Sequence, residues 1–298
     1  ADRLQPVMQE AYRLAYIRKP EFMGNTRTEE KDPKFKVISD LPWCEQEINE
    51  RLAAYRQLSD KVEQEWHALP AQKKETYFQL VKYPVQAAAQ MNNKLLTAQL
   101  ARHGKADWAD SDRAYDSIVS LTKTYNTTKW NRMMDFQPRR LLVFNRVERK
   151  ALSSGLLEKP QAVYTWNGAD CVEGASVICE GLGYEGKAVA VEKKKELTFE
   201  FAAWETDSVE VEVRLLPNHP VEGERLRFTI SLDGSATEAV SYETKGRSEE
   251  WKENVLCNQA VRRMILPVAR KASHRLIFTA LDEGVVLDQI CLYMPRIK

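Results

Sequence analysis

The sequence predicts an α plus β protein whose two kinds of structure are kept apart: an up-and-down helical bundle followed by an antiparallel β-sandwich of jelly-roll type. Three observations lead there. Apolar residues recur at three- and four-residue steps as far as about residue 130, and from about residue 160 they alternate with polar ones. At 298 residues the chain also exceeds what one hydrophobic core usually serves. The expected domains are residues 1–150, a helical bundle with its connecting segment, and residues 151–298, a C-terminal sandwich.

Four helical stretches are read in the first half. The first runs to about Ile17 and stops before Pro20; the second, about Glu45 to His67, lines up Ile48, Leu52, Tyr55, Leu58, Val62 and Trp66 as one apolar stripe and ends at Leu69-Pro70. The third, from Tyr77 to Leu100, is apolar over much of its circumference and belongs in the middle of the bundle. Pro84 removes an amide donor inside it, so a kink or break is expected just before that residue. The fourth starts near Ser111, where a hydroxyl and Asp112 suit an N-terminus, and reaches about Tyr125. Pro138, Ser153-Ser154-Gly155 and Pro160 then give the composition of a connection crossing the surface.

In the second half, Leu197, Phe199 and Phe201, then Val209, Val211 and Val213, then Leu226, Phe228, Ile230 and Leu232 alternate with polar residues, so each strand has one buried and one wet face. Asp233-Gly234 and Asn167-Gly168 are read as tight hairpin turns, and the spacing leaves no helix between the strands. From His274 to Ile290 the pattern is strand, acidic turn at Asp282-Glu283-Gly284, and a last strand carrying Asp288. That stretch resembles the closing hairpin of galactose-binding-like jelly rolls. Two readings of Asp288 stay open: an acceptor of backbone amides that pins the hairpin, or a calcium or ligand contact.

Composition narrows the function classes. Forty-four basic against forty-three acidic residues leave a net charge of +1, which gives no reason to expect nucleic acid as a partner. No run approaches the roughly 20 apolar residues that span a bilayer. An amphipathic pattern begins almost at Ala1, without a leader, and suggests a cut inside a longer protein or just after a processed leader. Cys44, Cys171, Cys179, Cys257 and Cys291 contain no CxxC and match no zinc spacing, so neither a metal nor a cofactor is expected. Cys171 and Cys179 could pair, but most of the five are expected to be small buried hydrophobes.

Candidate chemistry is thin. Glu45, Glu47 and Glu50 sit in the first turns of a helix, where they complement its dipole, and His67, His103, His219 and His274 lie far apart with no nucleophile motif. Gly181 to Gly186 matches GxGxxG but precedes a strand, so no helix N-terminus is available to hold a phosphate. No catalytic residue is assigned. Trp130, Trp166, Trp204 and Trp251 are candidate sugar platforms, because pyranose rings stack on aromatic faces, with core filling as the alternative; Trp204 and Trp251 sit beside glutamates that favour partial exposure.

Longer motifs carry a resemblance. Tyr16 to Gly24, Tyr83-Pro84-Val85 through Met91-Asn92, and Lys129-Trp130-Asn131-Arg132-Met133-Met134 look like the domain following the catalytic barrel in glycoside hydrolase family 115. Gly181 to Tyr184, Leu215 to Pro220, Ser231 to Gly234, Gly246 to Val255 and Asp282 to Gln289 resemble that family's C-terminal sandwich. The resemblance implies a parent α-glucuronidase that removes glucuronic acid or its 4-O-methyl ether from xylan in the periplasm or outside the cell. It also implies the parent's N-terminal and barrel domains as partners, and a homodimer. Trp130, Arg132, Trp204 and Trp251 are then candidate carbohydrate or interface contacts in a non-catalytic accessory region. A module that binds glucuronoxylan is the alternative.

Overall fold

Helix α1 (Leu4–Ile17) ends where Pro20 forces the preceding Lys19 into extended backbone, ψ 142°. The computed structural model describes residues 3–27, 30–152, 154–174 and 176–295. It divides into two units, Ala1–Lys159 and Pro160–Lys298.

In the first unit, α2 (Glu45–Ala68) is entered through a reciprocal cap in which the Glu47 carboxylate accepts the Cys44 amide at 2.8 Å. Its stripe of Ile48, Tyr55, Leu58 and Val62 is buried. After Pro70 come α3 (Ala71–Tyr77), one π turn (Phe78–Lys82) and α4 (Tyr83–Arg102). Pro84 cannot donate to a carbonyl one turn earlier, and the wide turn before it absorbs the slip: the Tyr83 amide bonds to Phe78 O, five residues back. The break expected before Pro84 is therefore a π turn. Helix α4 is buried almost all round and packs against both α2 and α5 (Trp108–Tyr125), as the central member of the bundle must.

Helix α5 starts three residues earlier than the hydroxyl at Ser111 suggests. Asp107 is the cap, accepting the Ala109 amide at 2.9 Å, and Ser111 is instead buried inside the helix, donating to Lys94 O at 2.7 Å. The connection also departs from a pure surface crossing, because Val143 and Val147 are buried in the same core as Leu95, Leu96 and Ile118.

The second unit holds β1 (Tyr164–Asn167), β2 (Val177–Ile178), β3 (Val189–Ala190), β4 (Glu196–Ala202), β5 (Ser208–Leu215), β6 (Arg227–Leu232), β7 (Ser235–Ala236), β8 (Val240–Ser241), α6 (Glu249–Cys257), β9 (Ala260–Pro267), β10 (Ser273–Ala280) and β11 (Val286–Tyr293). One antiparallel sheet runs β2-β3-β11-β5-β9, with β1 also on β11; the other runs β4-β10-β6-β7, with β8 also on β6. The alternating residues of β4, β5, β6, β10 and β11 meet in one core between the sheets, with Phe228 stacked on Phe278 at 5.1 Å.

Four expectations for this half are corrected. β10 and β11 lie in different sheets, so the chain from His274 to Ile290 is a sheet-to-sheet crossover and not a closing hairpin. Asn167-Gly168 enters a 3-10 turn with Asn167 at φ −74°, because the Asp170 carboxylate draws the Asn167 amide back at 2.9 Å. Helix α6 does interrupt the strands, started by Ser248 accepting the Trp251 amide and ended by Asn258 at φ 51°. None of the five cysteines is in a disulfide, Cys171 and Cys179 included, and only Cys291 is buried. Asp233, at φ 52°, and Gly234, at φ 92°, do make the β6–β7 turn. Among the described residues no helix is long and apolar enough to cross a membrane.

Candidate functional site

The segment leaving α5 is where the structure presents aromatic and cationic groups together. Tyr125, the last residue of α5, is buried against Tyr83 at 4.7 Å and Phe78 at 6.2 Å between ring centres, and its hydroxyl accepts from Gln79 Nε2 at 3.2 Å. The helix end is thus fixed to the π turn. Beyond it, Asn126 closes a loop on itself: its Nδ2 donates to Met134 O at 2.7 Å, and its Oδ1 accepts the Met134 amide at 3.2 Å. Inside that clasp the Trp130 amide donates to Thr128 Oγ1 and the Met133 amide to Trp130 O, while Arg132 sits at φ 63°.

A left-handed arginine is strained, and the surrounding hydrogen bonds hold it. The loop displays Trp130 at 38% exposure, with Met133 at 61% and Met134 at 37%. Lys129 Nζ stands 5.6 Å from the Trp130 ring centre, over one face of the indole. Among the described residues neither Lys129 nor Arg132 has an ion-pair partner. The neighbouring Arg146 and Arg149, by contrast, are both neutralised by Asp112, whose carboxyl they hold below the usual carboxylate range.

The other candidates lie in the second unit, on separate elements. Trp204 is buried, not exposed: it packs edge-on against Phe201 at 5.7 Å, and its Nε1 donates to Ser208 O at 2.9 Å. An indole so placed cannot stack on a sugar, and the adjacent Glu205 turns outward without drawing it along. Trp166 is half-buried and stacks on Tyr164 at 5.3 Å. Trp251 is half-buried in the first turn of α6.

Asp288 is fully buried and both oxygens are engaged, Oδ1 by the Tyr184 amide and Oδ2 by Gln259 Nε2, each at 2.9 Å. Burial pushes its carboxyl up, and those two bonds oppose the shift. The bonds tie the Gly181–Gly186 turn and the start of β9 to β11, not a β10–β11 hairpin, and only the Tyr184 partner is a backbone amide. Among the described residues no group of three or more His, Cys, Asp or Glu is disposed to hold a metal ion.

Sequence reasoning missed the buried polar groups. Lys94, in the middle of α4, is fully buried and donates to Val143 O at 2.6 Å and Asn145 O at 2.9 Å, and burial pulls its ammonium down to about 7. Gln137 Nε2 donates to Asn145 Oδ1 at 3.1 Å, so the same pin reaches the end of the Trp130 loop. In the second unit Glu212 accepts from Arg214 Nε and Arg263 Nε, both at 2.7 Å. On that face of β5 a buried carboxylate is thus covered by two arginines, of which Arg263 is exposed. Alternation alone reads such positions as solvated.

Residues 175–298 match the model of the glycosyl hydrolase family 115 C-terminal domain. Over 99% of its length the chain superposes, with a TM-score of 0.95 and 61% identity, on a solved structure described as a novel family GH115 4-O-methyl-α-glucuronidase, BtGH115A, with specificity for decorated arabinogalactans; it spans 39% of that protein. Two family 35 carbohydrate-binding modules, one from an environmental isolate and one from Clostridium thermocellum, each match 44% of the chain. Their identities are 10% and 11%, their TM-scores 0.36 and 0.35, and 93% and 98% of each module is covered. No curated protein sequence matches the chain.

Proposed function

Because the chain belongs to glycosyl hydrolase family 115, with residues 175–298 matching that family's C-terminal domain, we propose that it is the accessory, non-catalytic C-terminal region of a secreted or periplasmic α-glucuronidase. The observation that carries this reading is the 61% identity maintained over 99% of the chain with a 4-O-methyl-α-glucuronidase of which it spans only 39%. In the parent the helical unit buttresses the catalytic barrel, and the sandwich contributes to dimerisation or to the rim of the substrate cleft. The family resemblance implies xylan as the polysaccharide. The specificity stated for the 61%-identical relative favours a decorated arabinogalactan, and the group removed is glucuronic acid or its 4-O-methyl ether.

The buried acids support a structural part for this chain. Asp288 holds a turn, Glu212 neutralises two arginines and Asp282 is paired with Arg227 at 2.8 Å, so each is committed to a partner within its own unit. The alternative, a sandwich that binds glucuronoxylan through exposed aromatics, has less to stand on once Trp204 is internal and Trp166 lies against Tyr164.

The test is release of 4-O-methylglucuronic acid from aldouronic acids, glucuronoxylan and arabinogalactan, by the full-length parent and by the 298-residue chain alone. Release is expected from the parent only. Turnover by the chain alone overturns the accessory reading, and retardation of the chain in a glucuronoxylan gel would favour the binding module.

A further inference from the structure

His103 caps the C-terminal end of α4 with both ring nitrogens engaged. Its Nε2 lies 2.6 Å from Asp40 Oδ2, in the segment before α2, and its Nδ1 lies 2.5 Å from the carbonyl oxygen of Ser154, in the connection that follows α5. A carbonyl oxygen can only accept. Asp40 Oδ1 meanwhile takes Arg102 Nε at 2.6 Å, and beside a guanidinium, which does not give up its proton, the carboxyl serves as an acceptor too. Two acceptors on opposite sides of one imidazole require a proton on each nitrogen, so the arrangement is complete only with the imidazolium. The place suits a cation, because the last carbonyls of α4 form the negative pole of its dipole.

Other basic groups show why the count of donors matters. His67 is paired with Glu63, and His274 with Asp233 while its Nε2 is buried without a bond, so one N–H serves each. Lys94 also holds the connection, through Val143 O and Asn145 O, but an amine that gives up its proton keeps two N–H groups for those two carbonyls. An imidazole that gives one up keeps a single N–H for two acceptors, and a lone pair is left facing either Ser154 O or Asp40. We propose that His103 is a proton-dependent latch: protonated, it fastens the connection at Ser154 to the end of α4, and on losing a proton it lets that stretch go. Leu152, whose amide donates to Arg102 O at 2.8 Å, lies within the latched stretch. The charged groups about the ring are Asp40 from the segment before α2 and Arg102 from α4; Lys105, two residues along, is paired with Glu45 of α2. The connection brings to the ring a carbonyl, which does not titrate, so the proton that decides the contact is the imidazole's own. The latch goes beyond the accessory reading and does not depend on it.

The test is a titration of the ¹⁵N-labelled 298-residue chain from about pH 5 to about pH 10, followed through its imidazole nitrogens and backbone amides. The His103 ring signals are identified by their loss in His103→Gln. At the acid end both nitrogens should show the shift of N–H, and one should move to that of a bare nitrogen as pH rises. Hydrogen-exchange protection of the Leu152 amide, corrected for the intrinsic pH dependence of exchange, is expected to fall on the order of tenfold across the same midpoint. The Phe144 amide, which bonds to Leu141 O earlier in the connection, should keep its protection. In His103→Gln the carboxamide donates from one nitrogen only, so the Leu152 amide should be weakly protected at every pH, without a step.

A His103 ring with one bare nitrogen throughout the titration, or one that keeps both protons to its alkaline end, overturns the proposal. So does a ring that titrates while Leu152 stays protected, a loss of protection that takes Phe144 along with Leu152, or a step that survives His103→Gln. The wild-type ring shifts need no variant, so they decide the matter even where His103→Gln does not fold. None of these outcomes touches the accessory reading, which falls only if the chain alone turns substrate over.

Discussion

The two units bury charge of opposite sign. Among the described residues the charged side chains buried in the helical unit are cations, namely Arg18, Arg27, Arg51, Lys94 and Arg102, whereas in the β unit the buried acids and bases are Glu212, Asp282, Asp288 and His274. The difference follows from which backbone groups each architecture leaves over. A bundle satisfies its amides within the helices and leaves carbonyls free at helix ends and in the segments laid over them. Arg18 Nε accordingly donates to Phe22 O, Arg51 Nη2 to Arg18 O, and Lys94 Nζ to Val143 O and Asn145 O. A sandwich leaves amides free in its turns, and carboxylates collect them: Asp288 takes the amide of Tyr184, Asp233 that of Arg275 and Asp170 that of Asn167. Of these three acids only Asp288 is buried, and the other buried acids of the β unit, Glu212 and Asp282, are held by arginine side chains.

The comparison can be broken most severely at Gly183. It lies at φ 92°, and a Cβ there would stand 2.4 Å from Asp288 Oδ1 and 2.9 Å from the Ala188 Cβ. Gly183→Ala should cost about 3–5 kcal/mol, combining a forbidden dihedral with loss of the buried carboxylate's amide partner, and chemical denaturation should show it. Glu212→Gln comes next. Burial raises the Glu212 carboxyl, but Arg214 and Arg263 outweigh it and hold the group below its ordinary value, so its contribution is present above about pH 4.5 and lost as pH falls through the folded value. The substitution should cost about 2–3 kcal/mol at pH 7, with the gap to wild type closing in acid.

Lys94→Met is the matching experiment in the helical unit; its pH dependence has the same sign but lies in a higher window. With the folded-state ammonium at about 7 against 10.5 for the free side chain, the folded protein carries fewer protons than the unfolded chain between those values, so wild-type stability rises with pH across that window. The variant should lose about 2 kcal/mol by leaving two carbonyls unpaired and should show a flatter rise from pH 7 to 10. A Lys94→Met protein with an unchanged pH profile would mean that the burial of this ammonium does not govern its titration.

What could be read in advance divides along the same physical line. Hydrophobic periodicity places the helices and strands because core burial dominates their formation, and Pro84 announces the break in front of α4 through its missing donor. Periodicity is silent on polar groups whose partner is distant in sequence. Nothing near Lys94 hints at Val143 and Asn145, and Glu212 in its alternating strand has the appearance of a wet residue until Arg263 is placed beside it. Trp204 looked exposed from its neighbours for a related reason: an indole turns inward when a backbone carbonyl is available for its N–H, and Ser208 O is invisible to composition. For the Trp130 loop the sequence supplies the aromatic and the arginine, but not the Asn126 clasp that aims them.

That clasp sharpens the comparison at the smallest energetic scale. The bonds between Asn126 and Met134 are neutral and partly exposed, so Asn126→Ala should cost only about 1 kcal/mol of global stability. Its effect is expected instead in local opening. Hydrogen exchange at the Met133 and Met134 amides should quicken, because both now depend on a closed loop, while α5 up to Tyr125 keeps its protection through the Phe78–Tyr83–Tyr125 cluster. Exchange that quickens equally along α5 would place the loop and the helix in one cooperative unit, and Lys94, pinning the chain beyond the loop, would then be the residue that sets the stability of both. Exchange confined to the loop makes Asn126 a local fastener, whose loss changes how Trp130 and Arg132 are presented without changing the bundle that carries them.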